Sequence, residues 1–180
     1  MSNYRRNFTQ GGIYFFTIVL QDRTSDLLVR YIDEFCCAYK ETVEKYSFET
    51  IAITILPDHL HLILQLPEND DDYSIRLKFL KTRFTQKIPK EHRNPNFSRE
   101  KRNEAGIWQR RFWEHYIRDE EDLEKHIAYT YYNPVKHNYV KNVSDWAYSS
   151  FHKDVQNGKF PMDWGSDVKN DMLSLYQWDM

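Results

Sequence analysis

From residue 59 to 66 the chain reads His-Leu-His-Leu-Ile-Leu-Gln-Leu, with leucine at every second position. Side chains of a strand alternate between its two faces. Leu60, Leu62, Leu64 and Leu66 therefore share one face, which must be covered by another layer of structure. His59 and His61 share the opposite face, side by side. This one strand calls for helices packed under its leucines and places two imidazoles where they can look into a site.

The remaining elements follow from pattern and punctuation. Ile13–Leu20 is β-branched and aromatic, a strand. Ser25 or Asp26 can cap a helix running to about Tyr46, with Leu27, Leu28, Ile32, Phe35, Tyr39 and Val43 at helical spacing. Phe48–Leu56 alternates again and forms a hairpin with His59–Leu66 across the Pro57-Asp58 turn. A basic helix is expected over Tyr73–Lys87, with Ile75, Phe79 and Leu80 inward. Residues 88–106 are polar and irregular, and Trp108–Arg118 reads as a fourth strand. Asp119 begins a helix with an anionic first turn, favourable to the helix dipole, and Asn133-Pro134 is expected to end it. The order β-α-β-β-α-β-α makes the chain α+β. Its first six elements spell a split β-α-β layout, a four-stranded antiparallel sheet with two helices on one face. The third helix is extra, free to cover the other face or an edge. The domain is expected over 1–152, with an acidic, Trp-bearing tail over 153–180.

Charge is distributed unevenly. Residues 1–75 carry 6 Lys/Arg against 12 Asp/Glu, residues 76–118 carry 13 against 4, and residues 119–180 carry 6 against 11. The net charge of −2 hides a basic middle segment suited to a polyanion. The cysteines, Cys36 and Cys37, are adjacent and make no disulfide framework, which fits a reduced, cytoplasmic setting. No apolar run reaches the ~20 residues of a membrane span. Arg5-Arg6 before Ile13–Leu20 mimics a twin-arginine signal, but the run is short and no small-residue cleavage site follows.

Two imidazoles two apart on a strand can chelate one divalent ion and leave positions open for substrate oxygens. Taken alone, the pair is equally compatible with packed histidines. A tyrosine hydroxyl can act as a nucleophile and form a covalent intermediate. Helical spacing puts Tyr129 on one face with His126, Thr130 and Asn133, although Tyr129 alone also reads as a packed aromatic. Arg76, Lys78, Lys81, Arg83 and Lys87, then Trp108-Gln109-Arg110-Arg111-Phe112-Trp113, interleave cations with rings, a combination suited to single-stranded nucleic acid.

Together these residues resemble the REP-associated tyrosine transposases, relatives of the single-tyrosine HUH transposases of bacterial insertion sequences. The resemblance is carried by Tyr4-Arg5-Arg6, Gly11-Gly12-Ile13-Tyr14-Phe15-Phe16-Thr17, Leu56-Pro57-Asp58-His59-Leu60-His61, Trp108–His115, Tyr132-Asn133-Pro134-Val135-Lys136-His137, Ser144-Asp145-Trp146 and Ser149-Ser150-Phe151. It spans residue 4 to about 165, in the family's order. It implies a ferredoxin-like fold with an added helix carrying the catalytic tyrosine, Tyr129. It also implies Mg²⁺ or Mn²⁺ held by His59 and His61, with Asn133 as third ligand and His126 as the alternative. The implied activity is cleavage and rejoining of single-stranded DNA through a 5′-phosphotyrosine. The implied partners are hairpin-forming REP-like palindromes beside a short tetranucleotide, met by a monomer or homodimer. Tyr4, Arg5, Arg6, Arg76, Lys78, Lys81, Arg83, Arg110 and Arg111 are the expected DNA contacts. The family usually has Gly after the Asn-Pro-Val-Lys-His block; here Asn138 stands there, and Asn tolerates a left-handed backbone nearly as well. The tail is expected to fold over the basic groove. Two rival readings are a domesticated DNA-hairpin-binding protein without turnover, and an unrelated metallo-hydrolase using the His pair and a water.

Overall fold

A computed structural model describes residues 8–93 and 105–166. Its sheet is built from β1 (Ile13–Val19), β2 (Glu49–Ile55), β3 (His59–Gln65) and β4 (Trp113–Tyr116), in the order β2-β3-β1-β4. Each neighbouring pair is antiparallel. This is the α+β split β-α-β arrangement expected from the element order. β4 is shorter than the expected 108–118 strand. Trp108 makes only an isolated bridge to Leu20 and sends its indole N–H to Lys81 O and Thr85 Oγ1.

The leucine strip does what its periodicity requires. Leu60, Leu62, Leu64 and Leu66 are buried with Tyr14, Phe16, Ile18 and Leu20 of the neighbouring chain segment, under Leu28, Phe35, Tyr73, Leu77, Leu80 and Phe84. These come from α1 (Leu27–Arg30), α2 (Ile32–Lys45) and α3 (Tyr73–Lys87). The single helix expected from residue 25 or 26 to 46 is two helices. Tyr31 leaves helical geometry at φ −115°, ψ 46°, and its hydroxyl bonds His92 Nε2 at 2.8 Å. That tertiary contact sits on a 3-10 turn, Lys90–His92, within the segment read as irregular.

The inward face of α3 is rotated from the expected one. Asp72 caps it by accepting from Ile75 N at 2.9 Å. Ile75 is 37% exposed, and the buried positions are Tyr73, Arg76, Leu77, Leu80 and Phe84. Arg76 is only 2% exposed, so it does not face a solvent-borne phosphate as expected. Its guanidinium donates to Ser47 O, Asp72 O and Asp70 Oδ2 and ties α3 to the start of β2.

The third long helix, α4 (Glu120–Lys136), covers the other face of the sheet, followed by the short α5 (Phe151–Gln156). Phe15, Ala52 and Ile63 from the sheet are buried there with Tyr129, Tyr131, Val143 and Phe151. Asp119 caps α4 through Asp122 N at 2.8 Å. The helix does not end at Asn133-Pro134 but runs through Pro134 to Lys136. Proline here falls in the last turn, where it removes one ladder bond and crowds the Thr130 carbonyl without ending the helix. The helix then closes in a Schellman motif, with Asn138 N on Val135 O and Tyr139 N on Pro134 O, both 2.9 Å. Asn138 takes φ 59°, the left-handed conformation foreseen for it. The 152/153 boundary falls inside α5, and Phe160 and Trp164 beyond it pack against the same second core. Tyr4, Arg5 and Arg6 lie outside the described residues, as does the tail from 167. Among the described residues no helix is long and apolar enough to cross a membrane.

Candidate active site

β3 and α4 bring the histidine pair and the tyrosine together. In the sheet register His61 lies opposite Thr17 of β1 and Thr54 of β2. Thr17 Oγ1 meets His61 Nδ1 at 3.1 Å. His59 Nδ1 meets Asp58 Oδ1 at 2.7 Å. Each imidazole is therefore held by its Nδ1, which fixes ring orientation and turns Nε2 to the role a ligating nitrogen would take, the usual support for a metal-binding histidine. The two rings stand 5.1 Å apart, edge to face. Burial alone would raise the Asp58 carboxyl, but His59 and the Arg23 guanidinium, 2.6 Å away, hold it below the usual carboxylate range.

α4 lies across these rings. The Tyr129 ring is 5.2 Å from His61. Two turns further on, His137 is 5.1 Å from His59. Asn133 lies between Tyr129 and His137 on the same helical face, and the rings of those two pack on His61 and His59. It is 0% exposed, and neither Oδ1 nor Nδ2 has a hydrogen-bond partner. A fully buried amide with both polar atoms unmet is costly and rare in a folded protein. An amide oxygen so placed, on the helical face that packs on two oriented imidazoles, suits an oxygen-seeking cation. The donor set of two nitrogens and an amide oxygen fits a divalent metal with open positions.

The Tyr129 hydroxyl accepts from Lys136 Nζ at 3.3 Å, and the same ammonium lies 4.8 Å over its ring. A cation at this spot favours negative charge developing on the tyrosine oxygen.

His126, the alternative third ligand, is drawn elsewhere. Its Nδ1 bonds Asp122 O at 2.7 Å, and the Phe15 ring packs against it at 5.0 Å and against His61 at 5.5 Å. His115, Asp122 and His126 bring their ligand-type atoms within 4.8 Å of one another. Arg118 shares the same carboxylate through its backbone N and Nε, so this group is knit as a hydrogen-bonded network at the start of α4. Burial would raise Asp122, but His115 and Arg118 outweigh it and hold the carboxyl at about 2. Burial pushes the His126 imidazole down, toward its neutral form.

The expected DNA contacts divide by geometry. Lys78, Arg110 and Arg111 are exposed. Arg83 pairs with Glu41 at 2.5 Å, and Lys81 donates to Gln109 O at 2.7 Å. Sequence reasoning assigned no role to Thr17, Asp58, Lys136 or His137. Asp58 adjoins His59 in the sequence, and Lys136 and His137 continue the Tyr129–Asn133 face; Thr17 is the cross-strand partner of His61, which only the sheet register shows.

Comparison with known proteins agrees. The family described as IS200-like transposases matches residues 9–130. A Haemophilus influenzae protein assigned to the REP-associated tyrosine transposases is 64% identical over 167 residues, which is 93% of this chain and 95% of that one. The REP-associated tyrosine transposase of Escherichia coli K12 is 42% identical over 168 residues, 93% of each chain. The solved structure of a REP-associated tyrosine transposase bound to a REP hairpin aligns with a TM-score of 0.80, at 42% identity and over 94% of both chains. Similarity this high, sustained from end to end and in three dimensions, leaves one assignment: the chain belongs to the REP-associated tyrosine transposases, within the IS200-like transposase family.

Proposed function

We propose that the protein cleaves and rejoins single-stranded DNA beside hairpin-forming REP-like repeats, through a covalent link to Tyr129. The observation that carries this reading is the Tyr129 hydroxyl beside Lys136 Nζ, with its ring on His61. The relative solved with a REP hairpin supports DNA hairpins as the partner class.

In the cleavage step the Tyr129 oxygen attacks phosphorus and forms the new P–O bond. The bond from phosphorus to the 3′ oxygen breaks. The phenolic proton is given up, the departing 3′ oxygen gains one, and the products are a 5′-phosphotyrosine and a free 3′-OH. Attack by a 3′-OH on the phosphotyrosine reverses these changes and reseals the strand. No nucleotide cofactor is needed, because the tyrosine link retains the phosphodiester's free energy.

His59, His61 and Asn133 would hold Mg²⁺ or Mn²⁺, which supplies Lewis-acid charge to the scissile phosphate. Asp58 and Thr17 keep the two imidazoles oriented. Lys136 steadies the nucleophile's oxygen. Lys78, Arg110 and Arg111 offer exposed cations to the DNA backbone, an interaction that weakens as salt rises.

The test is incubation with Mn²⁺ and a labelled single-stranded hairpin with genomic flanks, followed by a denaturing gel. The parent protein should give a slow band and Tyr129→Phe none, with binding on a native gel retained. A denaturation-resistant adduct from Tyr129→Phe would show the nucleophile to be misassigned. Binding without any adduct from the parent would favour a hairpin-binding protein without turnover.

A further inference from the structure

A line of rings runs from the metal-type histidines to the protein surface. His59 meets His137 at 5.1 Å, His137 meets Tyr139 at 6.0 Å, and Tyr139 stacks on Trp146 at 5.5 Å with planes 30° apart. Exposure rises along it: His59 is buried, His137 is half-buried and Tyr139 is 44% exposed. The site therefore opens to solvent at this end.

The outer pair is built rigidly. The Trp146 indole N–H donates to Ile55 O at 3.0 Å, and Tyr148 packs edge-on against the ring at 5.6 Å. Tyr139 is set by the Schellman turn, whose bond from Tyr139 N to Pro134 O and left-handed Asn138 fold the chain back after α4. The backbone thus aims a large ring at solvent beside the active site, although nothing in the core requires it there. Arg23 stands at the same rim. Its side chain is half exposed while its Nε holds Asp58, the partner of His59, whose ring meets His137. A flat aromatic face and a guanidinium flanking the same histidine are what an unpaired base and its phosphate recognise, since every base has a face to stack and every phosphate needs a cation.

We propose that Tyr139, backed by Trp146, is the stacking platform for the unpaired base adjoining the phosphate that enters the His59–His61 site. The platform selects single-stranded DNA because a base in a duplex has no exposed face to give it. This inference rests on the proposed strand-cleavage reading and adds the residue that seats the strand.

The experiment uses full-length protein with Mn²⁺ and a set of hairpin oligonucleotides carrying 2-aminopurine at one unpaired flanking position in turn. One position should be quenched on binding the parent and on binding Tyr139→Phe. Tyr139→Ala and Tyr139→Leu should abolish that quench and weaken binding about 5- to 100-fold, the usual worth of one stacked base. Tyr139→Leu keeps apolar bulk and removes only the ring, so it separates stacking from packing. An abasic site at the quenched position should weaken the parent by the same factor and leave Tyr139→Leu unaffected. Unchanged affinity, or a quench that persists in Tyr139→Leu, would overturn the platform. Adduct formation is read on the same samples. Adduct without a Tyr139-dependent quench sinks the platform alone; the quench without adduct sinks strand transfer and leaves the platform standing. No binding by the parent would overturn both.

Discussion

Asn133→Leu should make the metal-free protein more stable, which is unusual for a substitution at a fully buried polar position. The amide is 0% exposed with two unmet polar atoms. Each such group costs about 1–3 kcal/mol. Leucine is close in volume, so it leaves little cavity and little strain. It is also the better helix former by about 0.5 kcal/mol at this position within α4. The sum, discounted for local relaxation, is a gain of about 2–3 kcal/mol. For a chain of this length that raises Tm by about 5–10 °C. The assay is thermal unfolding in a chelator and again across a Mn²⁺ titration. The parent should gain about 2.7 kcal/mol at a metal concentration 100 times its Kd. The variant, short of one ligand, should gain much less, so the difference between the two proteins shrinks or reverses as Mn²⁺ rises. If Asn133→Leu unfolds at a lower temperature than the parent in chelator, the amide carries no burial cost and the argument from its unmet atoms fails. If Mn²⁺ raises both proteins equally, Asn133 is not a ligand.

Four further outcomes follow from the same geometry. Asp58→Ala removes the partner of His59 Nδ1 and should weaken Mn²⁺ binding about 10- to 100-fold by calorimetry, with the far-UV spectrum unchanged. Asp122 is held at about 2 against an ordinary 3.8, so its contribution of about 2 kcal/mol is present above pH 3.8 and is lost as pH falls through 2. Urea midpoints measured between pH 5 and 2 should show a shallower acid decline in Asp122→Asn than in the parent. Arg76→Ala should cost about 3 kcal/mol in chemical unfolding, since it strips the donors from Ser47 O and Asp70. Lys78→Ala and Arg111→Ala should instead leave Tm unchanged, weaken DNA binding and reduce the salt slope by about 0.7–0.9 for each phosphate left without its cation.

The strands, the α4 start point and the sharing of one face by His59 and His61 were legible because they rest on local rules: period-2 alternation, the Asp119 cap and a Pro-Asp turn. The misread places are those where a distant contact decides. Tyr31 breaks the first helix because its hydroxyl reaches His92, far along the chain. Arg76 displaces Ile75 from the core side of α3 because three acceptors converge on it, and no helical pattern records where Ser47 O will lie. Trp108 looked like strand but is pulled out of the ladder by Lys81 O and Thr85 Oγ1. In the site, the histidine pair and Tyr129 could be singled out from spacing and resemblance. Thr17 could not, because it becomes a neighbour of His61 only through the β1–β3 register.

The local rules that this chain breaks are concentrated at one place. Proline sits inside a helix at Pro134, a buried amide goes unmet at Asn133, a non-glycine residue takes positive φ at Asn138, and a large ring stands exposed at Tyr139. All lie between Tyr129 and Tyr139, and each is unfavourable alone. Together they have a single geometric effect. Extending α4 through Pro134 carries Asn133 and His137 over the histidine pair, and the turn at Asn138 then brings Tyr139 back to the site's rim. A helix ending at Asn133, as local preference would have it, would leave the ring of His137 off His59 and Tyr139 away from Trp146. Natural sequences depart from local consistency mainly where function requires it. On that argument the cost carried at Asn133 belongs to the active site, and relieving it there should raise stability while lowering activity.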